Sequence, residues 1–309
     1  MAVPAVTDRS TGLGCRHQQG NGRADLTMCA GVLLLVVNDA LAKALVARLD
    51  PFQILFARSV LALPLVAAAA VWNGGISSLR SARRSIHLVR AALAVAATYL
   101  FIRALGSLPL AEATAIIFTA PIFVAALSMP LLGQRVGGLR LAAVAAGFVG
   151  ALIAIRPGTE AMQPASLLAL LAAFINALVM MSARWIDARD GFWTMTVWMT
   201  LLSGILCAPT LAADWSGLDR EAGLLLALMA VSGTLGIALI TQAFRMGEAG
   251  AVAPFDYTAL IWASLIGWAV WGTVPGWPVY LGAAVIAAGG IALVLLDARG
   301  EGKGSRPDA

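Results

Sequence analysis

Residues 27–46 read TMCAGVLLLVVNDALAKALV and, after Ala47-Arg48-Leu49-Asp50-Pro51, residues 52–72 read FQILFARSVLALPLVAAAAVW. Each run is apolar for roughly the 20 residues that a helix needs to cross the hydrocarbon core of a bilayer. The link between them ends in Asp50-Pro51 and is long enough only for a tight turn. Two such runs joined so closely predict a helical hairpin standing in a membrane.

The same ruler finds eight more runs, near 87–105, 111–132, 138–156, 165–185, 192–212, 222–244, 249–271 and 277–296. The composition agrees, because 60% of the 309 residues are hydrophobic and only 12% charged, with a mean hydropathy of +0.87. A water-soluble domain of this length has far more charged surface. The first 25 residues are polar and carry no apolar stretch of the signal-peptide kind, so a tail is expected there.

Lys and Arg outnumber Asp and Glu by 21 to 16. The excess is a topology signal and not a nucleic-acid footprint, because the basic residues sit in short links between apolar runs. With the N-terminus in the cytoplasm, fifteen of the 21 fall on cytoplasmic segments; Arg48, Arg156 and Arg220 fall outside, and Lys43, Arg58 and Arg103 fall in spans. Both termini are therefore expected in the cytoplasm, with an even number of spans across the cell's inner (plasma) membrane.

An enzyme needs positioned acids, bases, nucleophiles or metal ligands. The only histidines are His17 and His87, the cysteines Cys15, Cys29 and Cys207 are far apart, and no HExxH or Walker A spacing occurs. No cofactor or metal site is expected. A membrane-embedded enzyme stays as the rival reading, but a solute carrier driven by an ion gradient or by the solute's own gradient fits better. A coupling ion and a homodimer are left open.

The two halves of the chain echo each other. Asp50-Pro51-Phe52 matches Asp190-Gly191-Phe192, Arg103-Ala104-Leu105 matches Gln242-Ala243-Phe244, Glu112-Ala113 matches Glu248-Ala249, and Gly133-Gln134 matches Gly272-Thr273. Five spans per half make the second half enter from the opposite side. That is the inverted-topology repeat common in secondary transporters, with the binding site between the halves.

Read in order, Asn38-Asp39 with Lys43, Pro51-Phe52-Gln53 with Arg58, Leu88-Val89-Arg90-Ala91, Leu108 through Glu112 to Pro121, Gly150 through Arg156-Pro157-Gly158, Ala251 through Tyr257, and Gly282 through Gly289-Gly290 resemble the drug/metabolite transporter superfamily. The likeness is to its EamA-like ten-span branch and covers about 25–297. It implies an all-α membrane protein of ten transmembrane helices in two inverted five-helix repeats: tail 1–25, first repeat 26–158, second repeat 163–297, tail 298–309. The Asn-Asp-x-x-x-Lys of span 1 and the Ala-Pro-x-x-Tyr of span 9 look most like the S-adenosylmethionine and riboflavin uptake carriers. The resemblance thus implies a vitamin- or cofactor-type solute, with export of amino acids or related metabolites as the alternative. Gln134 and Thr273 stand where the family often has Glu after Gly, so neither is nominated as a proton site.

Ionisable groups inside a bilayer are expensive unless paired or hydrated, and so mark functional candidates. Asp39 and Lys43 share one helix face and could pair. With Asn38 and with Arg58 of span 2 they would form a polar wall toward an anionic or zwitterionic group; an interhelical ion network is the structural alternative. Arg103 near the end of span 3 could snorkel. In span 9, Pro254 should break the helix beside Asp256 and Tyr257, as Pro121 should in span 4. The solute is expected near the bilayer midplane between Arg58 and Asp256-Tyr257, with Trp262 as a stacking surface and Trp198 as a second deep tryptophan. The other tryptophans read as an interfacial belt, and Glu112 and Glu248 as first-turn carboxylates favoured by the helix dipole.

Overall fold

The structure, a computed structural model, describes residues 10–81, 84–132, 138–156, 163–186, 190–212, 215, 217–247 and 249–304. Gln134, Gly158, Arg189 and Glu248 lie outside them. Only helices and turns occur among the described residues. The helices are α1 (Ser10–Val46), α2 (Pro51–Gly74), α3 (Arg84–Leu105), α4 (Leu110–Ile117), α5 (Ala120–Leu132), α6 (Gly138–Ile155), α7 (Pro164–Ser182), α8 (Phe192–Cys207), α9 (Arg220–Met246), α10 (Ala249–Val252), α11 (Ala259–Trp271) and α12 (Trp277–Gly304).

Length and composition let six of the described segments cross a membrane: Gly22–Val46, Pro51–Gly74, Arg84–Leu105, Leu110–Ser128, Pro164–Trp185 and Arg220–Met246. Leu141–Ile155, Phe192–Cys207 and Trp277–Leu293 are shorter apolar helices. Large apolar side chains face outward along the bundle, among them Trp72, Trp185, Trp268 and Trp277, as suits a protein whose solvent is lipid.

Local sequence sets the helix ends. Asp50 caps α2 by accepting from Phe52 N–H at 2.9 Å, with Pro51 at the first helical position. Asp219 caps α9 by accepting from Ala222 N–H at 2.7 Å. Both expected breaks occur. The run 111–132 is interrupted at Phe118-Thr119, just before Pro121, and a 3₁₀ turn at Ala253–Thr258 around Pro254 separates α10 from α11. The interruptions meet, with the Phe118 and Tyr257 rings 4.9 Å apart.

The principal pairs are α1 with α9, α6 with α12, α3 with α7 and α2 with α8; α2 also touches α9, α3 touches α8, and α4 lies against α11. Glycines let two of these pairs come close. A Cβ on Gly31 would sit 3.0 Å from Gly236 O, and one on Gly236 would sit 3.0 Å from Gly31 O. Gly150 and Gly282 play the same part between α6 and α12, where a Cβ on either would crowd the other's carbonyl oxygen at 2.8 and 2.6 Å. Small residues at a crossing replace the hydrophobic driving force that lipid removes.

Side-chain links sort the helix ends into two groups. At one end Arg48 meets Glu221, Lys43 reaches Leu105 O and Leu108 O, and Lys43 lies over the Trp271 ring. At the other, Asp190 meets His87, and Arg90 reaches Val179 O and Ser182 Oγ. These are called the Arg48 end and the His87 end below.

Candidate functional site

A cavity of about 350 Å³ lies between α2, α3, α8 and α9. Its wall contains Arg58, Arg90, Trp193 and Met199 together with the hydroxyls of Ser59, Thr98, Thr196, Thr200, Ser203 and Thr234. The Thr196, Thr200 and Thr234 hydroxyls donate to the carbonyls one turn back, at 2.9, 2.9 and 2.8 Å. Their remaining capacity is as acceptors, so they suit N–H or O–H donors of a solute. Counted at about 1.5 Å per residue, Arg58 lies about 10 Å in from the Arg48 end and Arg90 about 9 Å in from the His87 end. Phe192 and Trp193 of the wall are the first residues of α8, so the cavity continues toward the His87 end.

Arg58 is the sequence candidate that lines this cavity. Asp39 stands behind it as its electrostatic counter-charge, and Asn38 donates Nδ2–H to Asp39 Oδ1 at 3.2 Å. Gly233 of α9 makes room for this cluster: a Cβ there would lie 2.9 Å from Asn38 Oδ1 and 3.5 Å from Arg58 Nη2. Asn38, Asp39 and Arg58 thus form one group at the meeting of α1, α2 and α9.

The other candidates are placed elsewhere. The expected Asp39–Lys43 pair does not form. Lys43 Nζ donates to Leu105 O and Leu108 O, both at 2.6 Å, and lies 5.6 Å from the Trp271 ring centroid. It caps the carbonyl-rich end of α3, where a cation is favoured. Tyr257 fits against Phe118 and Gly290, where any Cβ on Gly290 would overlap its hydroxyl. Asp256 shares the 3₁₀ turn with Tyr257, and neither lines the cavity. Trp262 packs on the main core, and Trp198 is covered by His87 and Arg84 at 6.2 and 5.5 Å. Arg103 is exposed at the last turn of α3, as snorkelling requires.

Three groupings were not legible as sites. Arg90, which reads as one more basic topology marker, is 8% exposed and faces the cavity. Glu112 is buried in the first turn of α4 and faces Arg156, where Arg156 ends α6 with φ 52° ahead of Pro157. His87 Nε2 lies 3.0 Å from Asp190 Oδ2, with both side chains almost wholly buried, and Ser81 Oγ donates to the same oxygen at 2.8 Å. The sequence signals were faint: Asp190 is the repeat partner of Asp50, and His87 is one of only two histidines.

The two ends of the bundle are latched differently. At the Arg48 end, Arg48 Nη1 lies 2.7 Å from Glu221 Oε2 and 3.9 Å from Asp219 Oδ2, on side chains 52 to 61% exposed. The hydrogen bond to Glu221 pushes the Arg48 pKa upward, so this latch stays charged. Among the described residues no group of three His, Cys, Asp or Glu side chains could hold a metal ion.

The pattern of the EamA-like transporter family matches residues 22–156 and 163–296. A riboflavin transporter of Rhizobium johnstonii is 32% identical over 236 residues, which are 74% of this chain and 76% of that protein. An S-adenosylmethionine uptake transporter of Rickettsia bellii is 26% identical over 253 residues, covering 81% and 85%. A solved crystal structure, 20% identical in sequence, superposes with a TM-score of 0.59 over 89% of this chain and 98% of its own, a likeness of fold.

Proposed function

Because the chain belongs to the EamA-like transporter family, we propose that it is a ten-span secondary transporter of the inner membrane that takes up a planar, polar metabolite of vitamin or cofactor type. That it moves a small solute across a membrane follows from the family; the span count, direction and solute are the proposal. The observation that carries it is the cavity, walled by α2 and α3 of the first half and α8 and α9 of the second. It combines two guanidinium groups, an indole, methionines and hydroxyl acceptors, the mixture of apolar faces and few polar anchors that such a solute requires. The higher identity to the riboflavin transporter, 32 against 26% to the S-adenosylmethionine carrier, supports trying riboflavin first.

The packing supports two inverted halves. Counting α4–α5 and α10–α11 as single interrupted spans gives five per half. Exchanging the halves then turns the α1–α9 pair into α7–α3, turns α2–α9 into α8–α3, and leaves α2–α8, α6–α12 and α4–α11 as self-pairs. The latches obey the same exchange. Arg48 links the first loop of one half to the start of the third span of the other, and Asp190 does so in reverse. With the Arg48 end outside and the His87 end cytoplasmic, as the basic residues imply, one latch must open while the other holds if the solute is to pass. Lys43, Asp256 and Tyr257 then serve the frame and the span breaks, while Asn38, Asp39 and Arg58 serve the solute.

Initial-rate uptake of radiolabelled riboflavin and S-adenosylmethionine into vesicles tests this, alongside growth rescue of strains unable to make either compound. The reading expects riboflavin flux and rescue of the riboflavin auxotroph. Outward movement of amino acids without uptake of either compound would favour the exporter alternative, and chemical turnover without flux would favour an enzyme.

A further inference from the structure

Among the described residues, Arg58 and Arg90 are the only charged ones that line the cavity. No carboxylate among the described residues shares its wall. Asp39, one layer behind on α1, offsets one of the two guanidinium charges. Of the described ionisable groups at the His87 end, Asp190 is engaged with His87 and Ser81, and Arg84 lies over Trp198. Among the described residues the cavity therefore holds one positive charge more than Asp39 offsets. Burying a cation without a counter-charge is costly, and proteins keep such an arrangement where something negative arrives.

Arg90 is built as a fixed anchor. Its side chain is 8% exposed, and Nη1 donates to Val179 O at 3.0 Å and to Ser182 Oγ at 2.9 Å, which ties it to α7. Nε is buried without a hydrogen-bond partner, and Nη2 makes no bond among the described residues. Nε and Nη2 together form the side edge of a guanidinium, which matches two oxygens of a carboxylate or phosphate. Arg58 stands roughly 12 to 15 Å away in depth, by helix rise, and already faces Asp39.

On the reading that this cavity is the solute site, we propose that Arg90 selects the solute by charge. Its Nε–Nη2 edge takes an acidic group, carboxylate or phosphate, at the end of an elongated planar molecule whose ring system reaches toward Arg58. A solute of net positive charge is disfavoured. Of the two solutes named for the relatives above, the sulfonium compound is the poorer match, because its two cationic groups outweigh the one carboxylate that could meet this edge, and an acidic flavin is a better match than the neutral vitamin.

The test is calorimetric titration of purified protein with riboflavin, riboflavin 5′-phosphate and S-adenosylmethionine, run beside riboflavin flux in vesicles. The inference expects the phosphate ester to bind at least about fivefold more tightly than riboflavin, with S-adenosylmethionine the weakest of the three. Arg90→Gln should erase the preference, and Arg90→Lys, which keeps the charge, should retain part of it. The ratio of two affinities on one preparation is insensitive to lost protein, and the wild-type ratio with Arg90→Lys decides should Arg90→Gln not fold. Equal binding of ester and vitamin, binding of the sulfonium compound as tight as either flavin, an unchanged ratio in Arg90→Gln, or no binding of any of the three overturns the inference. Absence of riboflavin flux with the binding order intact would remove the riboflavin reading and leave the anion clamp standing.

Discussion

The Arg48 end and the His87 end do the same topological job with opposite physical chemistry. Arg48–Glu221 is wet, on side chains 52 to 61% exposed, whereas His87–Asp190 is dry at 1 and 3%. A wet ion pair exchanges one set of hydrogen bonds for water and is screened by salt, so opening it costs little. A buried pair has no water to replace its partner, and the groups left behind keep the penalty. The difference teaches that, on the proposed inverted arrangement, the two halves are not energetically equivalent. The cavity wall runs to the first turn of α8, beside the dry latch, so release at that end is expected to be the harder step.

Breaking the dry latch should have the largest effect. Asp190→Asn keeps the shape and removes the charge that His87 and Ser81 share, at a cost of about 2–3 kcal/mol. Thermal unfolding in detergent should show a clear drop in midpoint, and a cysteine placed at Ser85 should label faster. An unchanged midpoint and labelling rate would mean that the pair is incidental. Lys43→Met tests the frame of the other end. Losing two bonds from a charged donor should cost about 1.5–3 kcal/mol of stability and leave the apparent affinity for solute alone. An altered affinity would return Lys43 to the site.

Between the ends, Arg58→Gln should weaken apparent affinity about tenfold, the equivalent of roughly 1.4 kcal/mol. Wild-type affinity in that variant would empty the proposed site. The smallest effect belongs to Arg48→Gln, whose flux should stay within about twofold of wild type, with the difference fading at high salt. A collapse of flux there, larger than that of Asp190→Asn, would reverse the comparison. The orientation is checked separately. In a protein freed of native thiols, an impermeant reagent applied outside intact cells should label a cysteine at 217 and spare one at 82.

Much of this architecture was legible in the sequence because lipid makes span length and proline breaks nearly local properties. The runs at 27–46 and 52–72, and the breaks at Pro121 and Pro254, emerged as read. The cluster of Asn38, Asp39 and Arg58 was also readable, since few residue types tolerate that depth. Partner choice was not. The spacing of Asp39 and Lys43 says that they share a face, not that they face each other, and the partners of Lys43 lie 62 and 65 residues away. Arg90 was hidden by its company: it follows Arg80, Arg83 and Arg84, and a basic cluster at a helix start reads as a topology marker. Asp256 and Tyr257 looked like a site because a broken helix often borders one. Here the break is filled by Phe118 and Gly290 instead.

The central claim is that the two latches open in alternation around one cavity. Its most direct test is a pair of spin-label distances in lipid, Ala47 to Leu218 across the Arg48 end and Ser85 to Trp193 across the His87 end. Both are measured with and without the solute that wild type carries. The account predicts opposite changes, one distance growing as the other shrinks, with Asp190→Asn shifting the population toward a longer Ser85–Trp193 distance. Two distances that lengthen together, or that stay fixed while flux proceeds, would contradict it.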